Sequence, residues 1–277
     1  MANRRKPKLP IAYWSHSSLV AFLRNPLTWY KRYVRKIYDI PATPSSVIGR
    51  AAHLALQHFY SGTEKEVAIA LGLEGLRNVP DFEIEFGKAK SRAAKKKRRL
   101  QMEREYLQAI GLYLERPPKH KVLAVEVAGI AEVQGLALPV KAISDLVVES
   151  RVEKGAVDIV DHKFVNAFSA SGAAKPLFML QAMFNYYTVR ELFGRPVRRF
   201  IVYECKRTKN RDGRAQMRRY IFDFKGAEAD FELFHRLVND ATEQLLHMKA
   251  FLPNPSDMFE GEHSFEVYRL RLLEEEN

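Results

Sequence analysis

The stretch "IVDHKF", residues 159–164, places an acid, a histidine and a lysine inside a run that otherwise reads as a buried strand. An unpaired buried charge is costly, so a strand that carries Asp161 and Lys163 two residues apart needs something to compensate them. Strand side chains alternate between faces, so Val157, Ile159, Asp161 and Lys163 share one face of "VDIVDHKFV". On the preceding predicted strand, "LPVKAISDLVVE", Ile143, Asp145 and Val147 share a face in the same way. Between the two lies "ESRVEKGA", polar and with Gly155, which predicts a hairpin. The hairpin brings Asp145 beside Asp161, with Lys163 next along. Two carboxylates that close repel each other unless a cation sits between them, and hard oxygen ligands favour Mg²⁺ or Mn²⁺. The competing reading is an ordinary Asp161–Lys163 ion pair at a sheet edge. Acid-x-base triplets are common in so charged a chain, and Glu204-Cys205-Lys206 and Asp223-Phe224-Lys225 are two more on predicted strands. Neither has an acid so placed on the strand before it.

Working outward, the 277 residues suffice for one large domain or two small ones, and 47% hydrophobic content builds a core. A net charge of +12 favours a polyanionic partner, nucleic acid first and an anionic membrane second. No apolar run reaches the roughly 18 residues of a membrane span. The basic opening "MANRRKPKLP" is not followed by an apolar segment, which argues against a secretory signal and for a cytoplasmic location, in a cell or in a host. One cysteine, Cys205, excludes an internal disulfide and a Cys-rich metal site.

The order of elements reads as helices, three strands, a helix, two strands and a helix. "SHSSLVAFLRNPLTWYKRYV" starts as a helix capped by Ser15 or Ser17 and is broken or restarted near Pro26. "SSVIGRAAHLALQHFY" is a second helix. Residues 61–118 read as helical and polar, with eight basic residues among positions 88–99. Strands are expected in "VLAVEVA" and in the hairpin above. A helix over 175–193 ends at Gly194 and Pro196. "VRRFIVYECK" and "QMRRYIFDF" are two further strands, with "NRDG" as the turn between them. A last helix runs from Glu228 to about Ala250 with an apolar stripe at steps of three and four. The expected fold is α/β, a central mixed β-sheet flanked by helices with a helical insertion. We read one domain over 1–277: N-terminal helices to 60, a basic insertion over 61–118, a sheet core over 119–225, and a closing helix and tail over 226–277.

In sequence order, "SHSSLVAFLRNPLTWYKRYV", "GRAAHLAL", "AISDLVVE", "IVDHKF", "LQAMFNYY" and "RRFIVYE" resemble the motifs of the PD-(D/E)XK nuclease superfamily in its RecB-like branch. The resemblance implies a restriction-endonuclease-like core and a metal-dependent DNA nuclease. It implies an exonuclease acting on DNA ends in recombination, repair or phage DNA processing, with an endonuclease on the same core and a catalytically inactive nucleic-acid-binding module as the alternatives. It makes Asp145, Asp161, Lys163 and Gln181 the catalytic set. His53, Asp145, Asp161 and the backbone carbonyl of His162 become metal ligands, and Glu126 a further acid. Mg²⁺ or Mn²⁺ is the implied cofactor. DNA is the implied partner, with a single-strand-binding or annealing protein as a second.

Phosphodiester hydrolysis needs a nucleophilic water and charge neutralisation at the phosphate, which a metal on two or three protein ligands and an adjacent lysine supply. Lys95, Lys96, Lys97, Arg98 and Arg99, together with Arg207, Lys209 and Arg211, are candidate phosphate contacts. The resemblance departs in two places. The tyrosine expected four residues after Gln181 is Asn185, and Tyr186, about 100° further round a helix, is the candidate replacement and a candidate DNA contact. Relatives that bind an iron–sulfur cluster use four cysteines; a single Cys205 cannot hold one.

Overall fold

In the computed structural model, the described residues are 9–38, 40–169, 171–207 and 216–254, with 171–177 described by their backbone course alone. The strands are β1 (Trp14–Ser15), β2 (Val122–Ala131), β3 (Val140–Glu149), β4 (Val157–Val165), β5 (Val197–Lys206) and β6 (Met217–Asp223). The helices are α1 (His16–Arg24), α2 (Pro26–Trp29), α3 (Pro44–Tyr60), α4 (Lys65–Arg77), α5 (Arg92–Glu115), α6 (Ser171–Phe193) and α7 (Glu228–His247). A π-helical turn covers Tyr30–Val34 and a 3₁₀ turn Asp81–Glu83. The strands form one six-stranded sheet in the order β1-β3-β4-β5-β6, with β2 also on β3. β3 and β4 run antiparallel, β4 and β5 parallel, β5 and β6 antiparallel, so the sheet is mixed. This is the expected α/β architecture. The two-residue β1, parallel to the start of β3, is too short to leave a period in the sequence.

The chain divides into two compact units. The first comprises the described residues among 1–39, 130–142 and 228–277. Its core is aromatic: Trp14, Phe22 and Trp29 are all buried and their rings lie 5.1 to 5.7 Å apart. Burial obliges each indole to find a partner for its N–H. Trp14 donates to Thr242 Oγ1 on α7 at 2.9 Å, and Trp29 to Ser18 Oγ at 2.8 Å. Ser15 is the cap of α1, accepting from the Ser18 amide. Asn25 stops α1 and caps α2, with Pro26 in the first turn where its missing N–H costs nothing. Beyond α7, Phe251 stacks on Tyr30 at 4.3 Å.

The second unit comprises the described residues among 40–129 and 143–227. Here α3, α4 and α5 share one apolar core, formed by Val47, Ile48, Leu76, Met102, Tyr106, Ile110 and Tyr113, with Cys205 of β5 against it. The segment 61–118 is therefore not the polar stretch its composition predicts. Met102, Tyr106, Ile110 and Tyr113 recur at steps of four, four and three, which is a buried helical face. The basic run at the start of α5 masks it. α5 also begins later than the run itself, at Arg92, because Ser91 accepts from the Ala94 amide as the cap.

α4 meets this core through Gly72. A Cβ there would overlap the Tyr106 hydroxyl and stand 2.6 Å from the Ala51 carbonyl oxygen. Tyr106 is itself fixed, donating to Ile69 O at 2.7 Å. Overpacking against backbone costs about 1–3 kcal/mol, because the helices must separate. We expect Gly72→Ala to lose about 2–3 kcal/mol in urea unfolding. An unchanged midpoint would mean that the helix contact is looser than the geometry requires.

Candidate active site

The hairpin of β3 and β4 turns through Gly155, whose φ of 84° suits glycine. Its register pairs Leu146 with Val160 and Val147 with Ile159, so one step further Asp145 stands level with Asp161. The two acids then take different partners. Asp145 Oδ2 accepts from the His162 backbone N–H at 2.8 Å and lies 3.3 Å from Nδ1 of His53 on α3. Asp161 Oδ2 lies 2.7 Å from Lys163 Nζ, and its Oδ1 accepts from Gln181 Nε2 on α6 at 2.7 Å. One helical turn after Gln181, Asn185 donates to the Gln181 carbonyl and accepts from Ser144 Oγ at 2.6 Å. Ser144 directly precedes Asp145, so one polar chain ties α6 to both acidic strands.

Glu126 completes the group. One ligand atom from each of His53, Glu126 and Asp145 lies within 4.8 Å of the other two. Glu126 sits at φ 51°, a left-handed conformation that an L-residue avoids. Such strain inside a strand re-aims a side chain, and here the side chain is an acid beside the other two.

The electrostatics follow from burial and charge. Burial alone would lower the His53 pKa, but the charge and hydrogen bond of Asp145, helped by Asp161, raise it to about 9. Burial pushes Asp145 upward, yet the charge of His53 and the His162 side chain, whose Nδ1 lies 3.4 Å from Asp145 Oδ2, outweigh it and hold the carboxyl well below its usual range. Asp161 moves the other way. Its burial and the charge of Asp145 exceed the help from Lys163, so its pKa is raised. Glu126 is raised by burial and then by Asp145. Carboxylates crowded enough to resist ionisation are what a divalent cation relieves.

His162 is held from its other side. Its Nε2 is 2.8 Å from the Tyr113 hydroxyl, which is 2.7 Å from the Tyr60 hydroxyl, which donates to Pro118 O. With Tyr60 donating outward, Tyr113 donates to Tyr60 and accepts from an Nε2–H of His162. The ring is buried, and it stacks on Tyr60 and Tyr203.

The profile of the PD-(D/E)XK nuclease superfamily matches residues 13–258. The chain belongs to that superfamily. PD-(D/E)XK nucleases use divalent metals, and the donor set here, one imidazole and two carboxylates, suits such an ion. Among solved structures, a candidate exonuclease from Eubacterium rectale aligns with 89% of this chain and 85% of its own at 10% identity, with a TM-score of 0.59. At that identity the likeness is one of fold. The structure of SSO0001 aligns with 82% of this chain and 84% of its own at 15% identity, but its TM-score of 0.31 carries no argument. No curated protein sequence matches the chain.

Within this PD-(D/E)XK chain, the structure gathers His53, Asp145, Asp161, Lys163 and Gln181, and moves Glu126 from a marginal candidate to a member of the group. Asn185 and Ser144 are additions that the sequence reading lacked. Their signal was available, since Asn185 lies four residues after Gln181 on one helix face and Ser144 adjoins Asp145. Tyr186 does not take the missing tyrosine's place. Its ring packs on Phe224 at 4.7 Å, with Arg190 above it, while Asn185 occupies the site side of α6. Both rival triplets have structural roles. Glu204 is buried and accepts from the Ser169 amide and hydroxyl, and Asp223 caps the Lys225 amide and pairs with Arg198.

The basic candidates divide. Lys96 and Lys97 are exposed on α5, and Lys95 lies 5.6 Å over the Phe86 ring. Arg98 pairs with Glu105 at 3.0 Å. Arg99 pairs with Asp81 at 2.8 Å and donates to the carbonyls of Leu76 and Val79, closing the end of α4. Arg207 is buried, donating to Ser45 Oγ at 3.2 Å with Glu105 at 3.9 Å. A guanidinium so enclosed serves packing, which corrects its reading as a surface contact. Lys209 and Arg211, with the "NRDG" turn, lie outside the described residues.

Proposed function

We propose that this protein is a Mg²⁺- or Mn²⁺-dependent deoxyribonuclease of the RecB-like branch, an exonuclease that acts on DNA ends in recombination, repair or phage DNA processing. The observation that carries it is the convergence of His53, Glu126 and Asp145 beside the Asp161–Lys163 pair. His53, Glu126, Asp145 and Asp161 would hold the ion, with the His162 carbonyl as a further oxygen donor. A divalent ion held there would make a water acidic enough to lose a proton and become the nucleophile, and would put a positive charge at the phosphate. Lys163 keeps an ammonium beside Asp161, where negative charge develops on the substrate. Gln181 orients Asp161, and Asn185 holds Gln181. Lys95, Lys96 and Lys97 remain the basic candidates on α5 for strand contacts that read no sequence. A single-strand-binding or annealing protein is a suitable partner for an enzyme working at DNA ends.

The test is end-labelled linear and circular DNA, single- and double-stranded, with Mg²⁺, Mn²⁺ or EDTA. Mononucleotides or short products from linear DNA alone support an exonuclease. Cleavage of circles would move the reading to an endonuclease. Binding without cleavage under every metal condition would make the protein an inactive binding module.

Metal binding should also release a proton. His53 must be neutral to donate to a metal, and in the metal-free protein it is protonated below about 9. Because that pKa is raised, the protonated form dominates at neutral pH, and the ion competes with it. Apparent Mn²⁺ affinity should therefore rise by about tenfold per pH unit up to that value. Calorimetry at pH 7 in buffers of different ionisation enthalpy should report about one proton released. A heat independent of buffer would remove His53 from the ligand set.

A further inference from the structure

A second polar site lies elsewhere in the same unit. A cavity of about 240 Å³ opens where the loop after α5 passes the hairpin ends of β3 and β4 and the face of β5 and β6. Asp158, in its wall, precedes Asp161 by three residues, about 10 Å along β4 by strand rise, and its side chain lies on the opposite face of the strand. Four cationic side chains, Lys119, Arg151, Arg199 and Arg219, face two carboxylates, Glu149 and Asp158.

Neither carboxylate neutralises the cluster. Asp158 is 1% exposed and takes both bonds of Arg199 on its Oδ2, at 2.5 and 3.2 Å. Glu149 is held by Arg195 at 3.4 Å, with Lys121 at 3.8 Å. Lys119, Arg151 and Arg219 are left with no carboxylate partner among the ion pairs of the described residues. Arg151 is braced by donating to the Lys119 carbonyl. Two buried polar atoms in the wall have no partner, Asp158 Oδ1 and His120 Nε2. A buried acceptor without a donor is costly, and a buried site left so asks for a ligand or ordered water. The rings of His120 and Tyr203, 5.8 Å apart, supply flat apolar wall.

The requirements are specific. Arg219 is hydrogen-bonded to Tyr203; guanidinium forks that no carboxylate holds still match the oxygens of a phosphate better than a point cation would. Asp158 Oδ1 asks the same ligand for a hydroxyl or amine donor. We propose that this pocket binds a phosphate monoester that also carries such a donor, with a nucleoside monophosphate as its ligand class. The phosphate sits on Arg151, Arg219 and Lys119. The sugar or base reaches Asp158, and the base lies along His120 and Tyr203. Stepwise cleavage at a DNA end releases this same class of molecule. That link to product sensing rests on the proposed exonuclease function; the binding itself does not.

The experiment is calorimetry on the full chain in EDTA, which keeps metal-mediated binding at the acidic group out of the measurement. The probes are deoxyadenosine monophosphate, inorganic phosphate and deoxyadenosine. The nucleotide should bind, phosphate should compete with it more weakly, and the nucleoside should give no heat. The double variant Arg151→Gln/Arg219→Gln should weaken nucleotide binding by roughly tenfold or more. Both side chains are exposed, so an unchanged melting temperature serves as the fold control. Should that variant fail to fold, Lys119→Gln and nucleotide-dependent hydrogen-exchange protection over 118–120 and 148–151 provide the same test. Absence of nucleotide binding, or binding that both variants leave intact, would overturn the proposal. A circular single strand that displaces the nucleotide as well as free phosphate does would also overturn it, because the pocket would then read strand phosphates.

Discussion

Asp161→Asn is expected to reduce metal-dependent DNA cleavage by roughly 10³-fold while leaving the protein folded. The substitution keeps the shape and one acceptor for Gln181, and removes the charge that pairs with Lys163 at 2.7 Å. The fold tolerates it because the environment already resists that charge, through burial and the neighbouring Asp145. Lys163 is about a third exposed and can turn to solvent. The unfolding midpoint should therefore move little. Gln181→Ala should cost less, about 10- to 100-fold, because it loosens an orienting bond rather than a charge. The paired readout is initial cleavage rate and urea unfolding on the same preparation. More than a tenth of the activity surviving in Asp161→Asn would place the chemistry on other acids.

The second large effect is on stability. Arg199→Met should destabilise the protein by about 3–5 kcal/mol, because it strands a carboxylate with 1% exposure. Removing both charges should be far milder. Asp158→Asn combined with Arg199→Met leaves a neutral amide where a buried ion pair stood, and such replacements are often close to neutral. Urea unfolding of the two single variants and the double variant closes the cycle. A double variant as unstable as Arg199→Met alone would mean that the arginine acts through its packing.

The hairpin and its acids were legible because alternation and one glycine turn suffice to place Asp145 level with Asp161. His53, Lys163 and Gln181 were legible through motif order. Other features were masked by a stronger competing signal or depend on contacts distant in sequence. Glu126 enters the site through a backbone conformation that its residue type disfavours. Asn185 looked like a departure because a tyrosine was expected there, yet its amide links Gln181 to Ser144. α5 looked polar because five consecutive cationic residues outweighed a stripe of four apolar ones. Arg98, Arg99 and Arg207 looked like a nucleic-acid surface because charge alone does not reveal that Glu105, Asp81 and two carbonyls already engage them.

Cys205 has a practical consequence. It packs beneath the α3–α5 core, and burial pushes its thiol up to about 12. It is also the only cysteine in the chain. Alkylating reagents act on thiolate, so at neutral pH the native protein is chemically silent toward them. A cysteine introduced at an exposed position such as Lys96 or Lys97 would then be the single attachment point for a fluorophore or spin label, in an otherwise unaltered sequence.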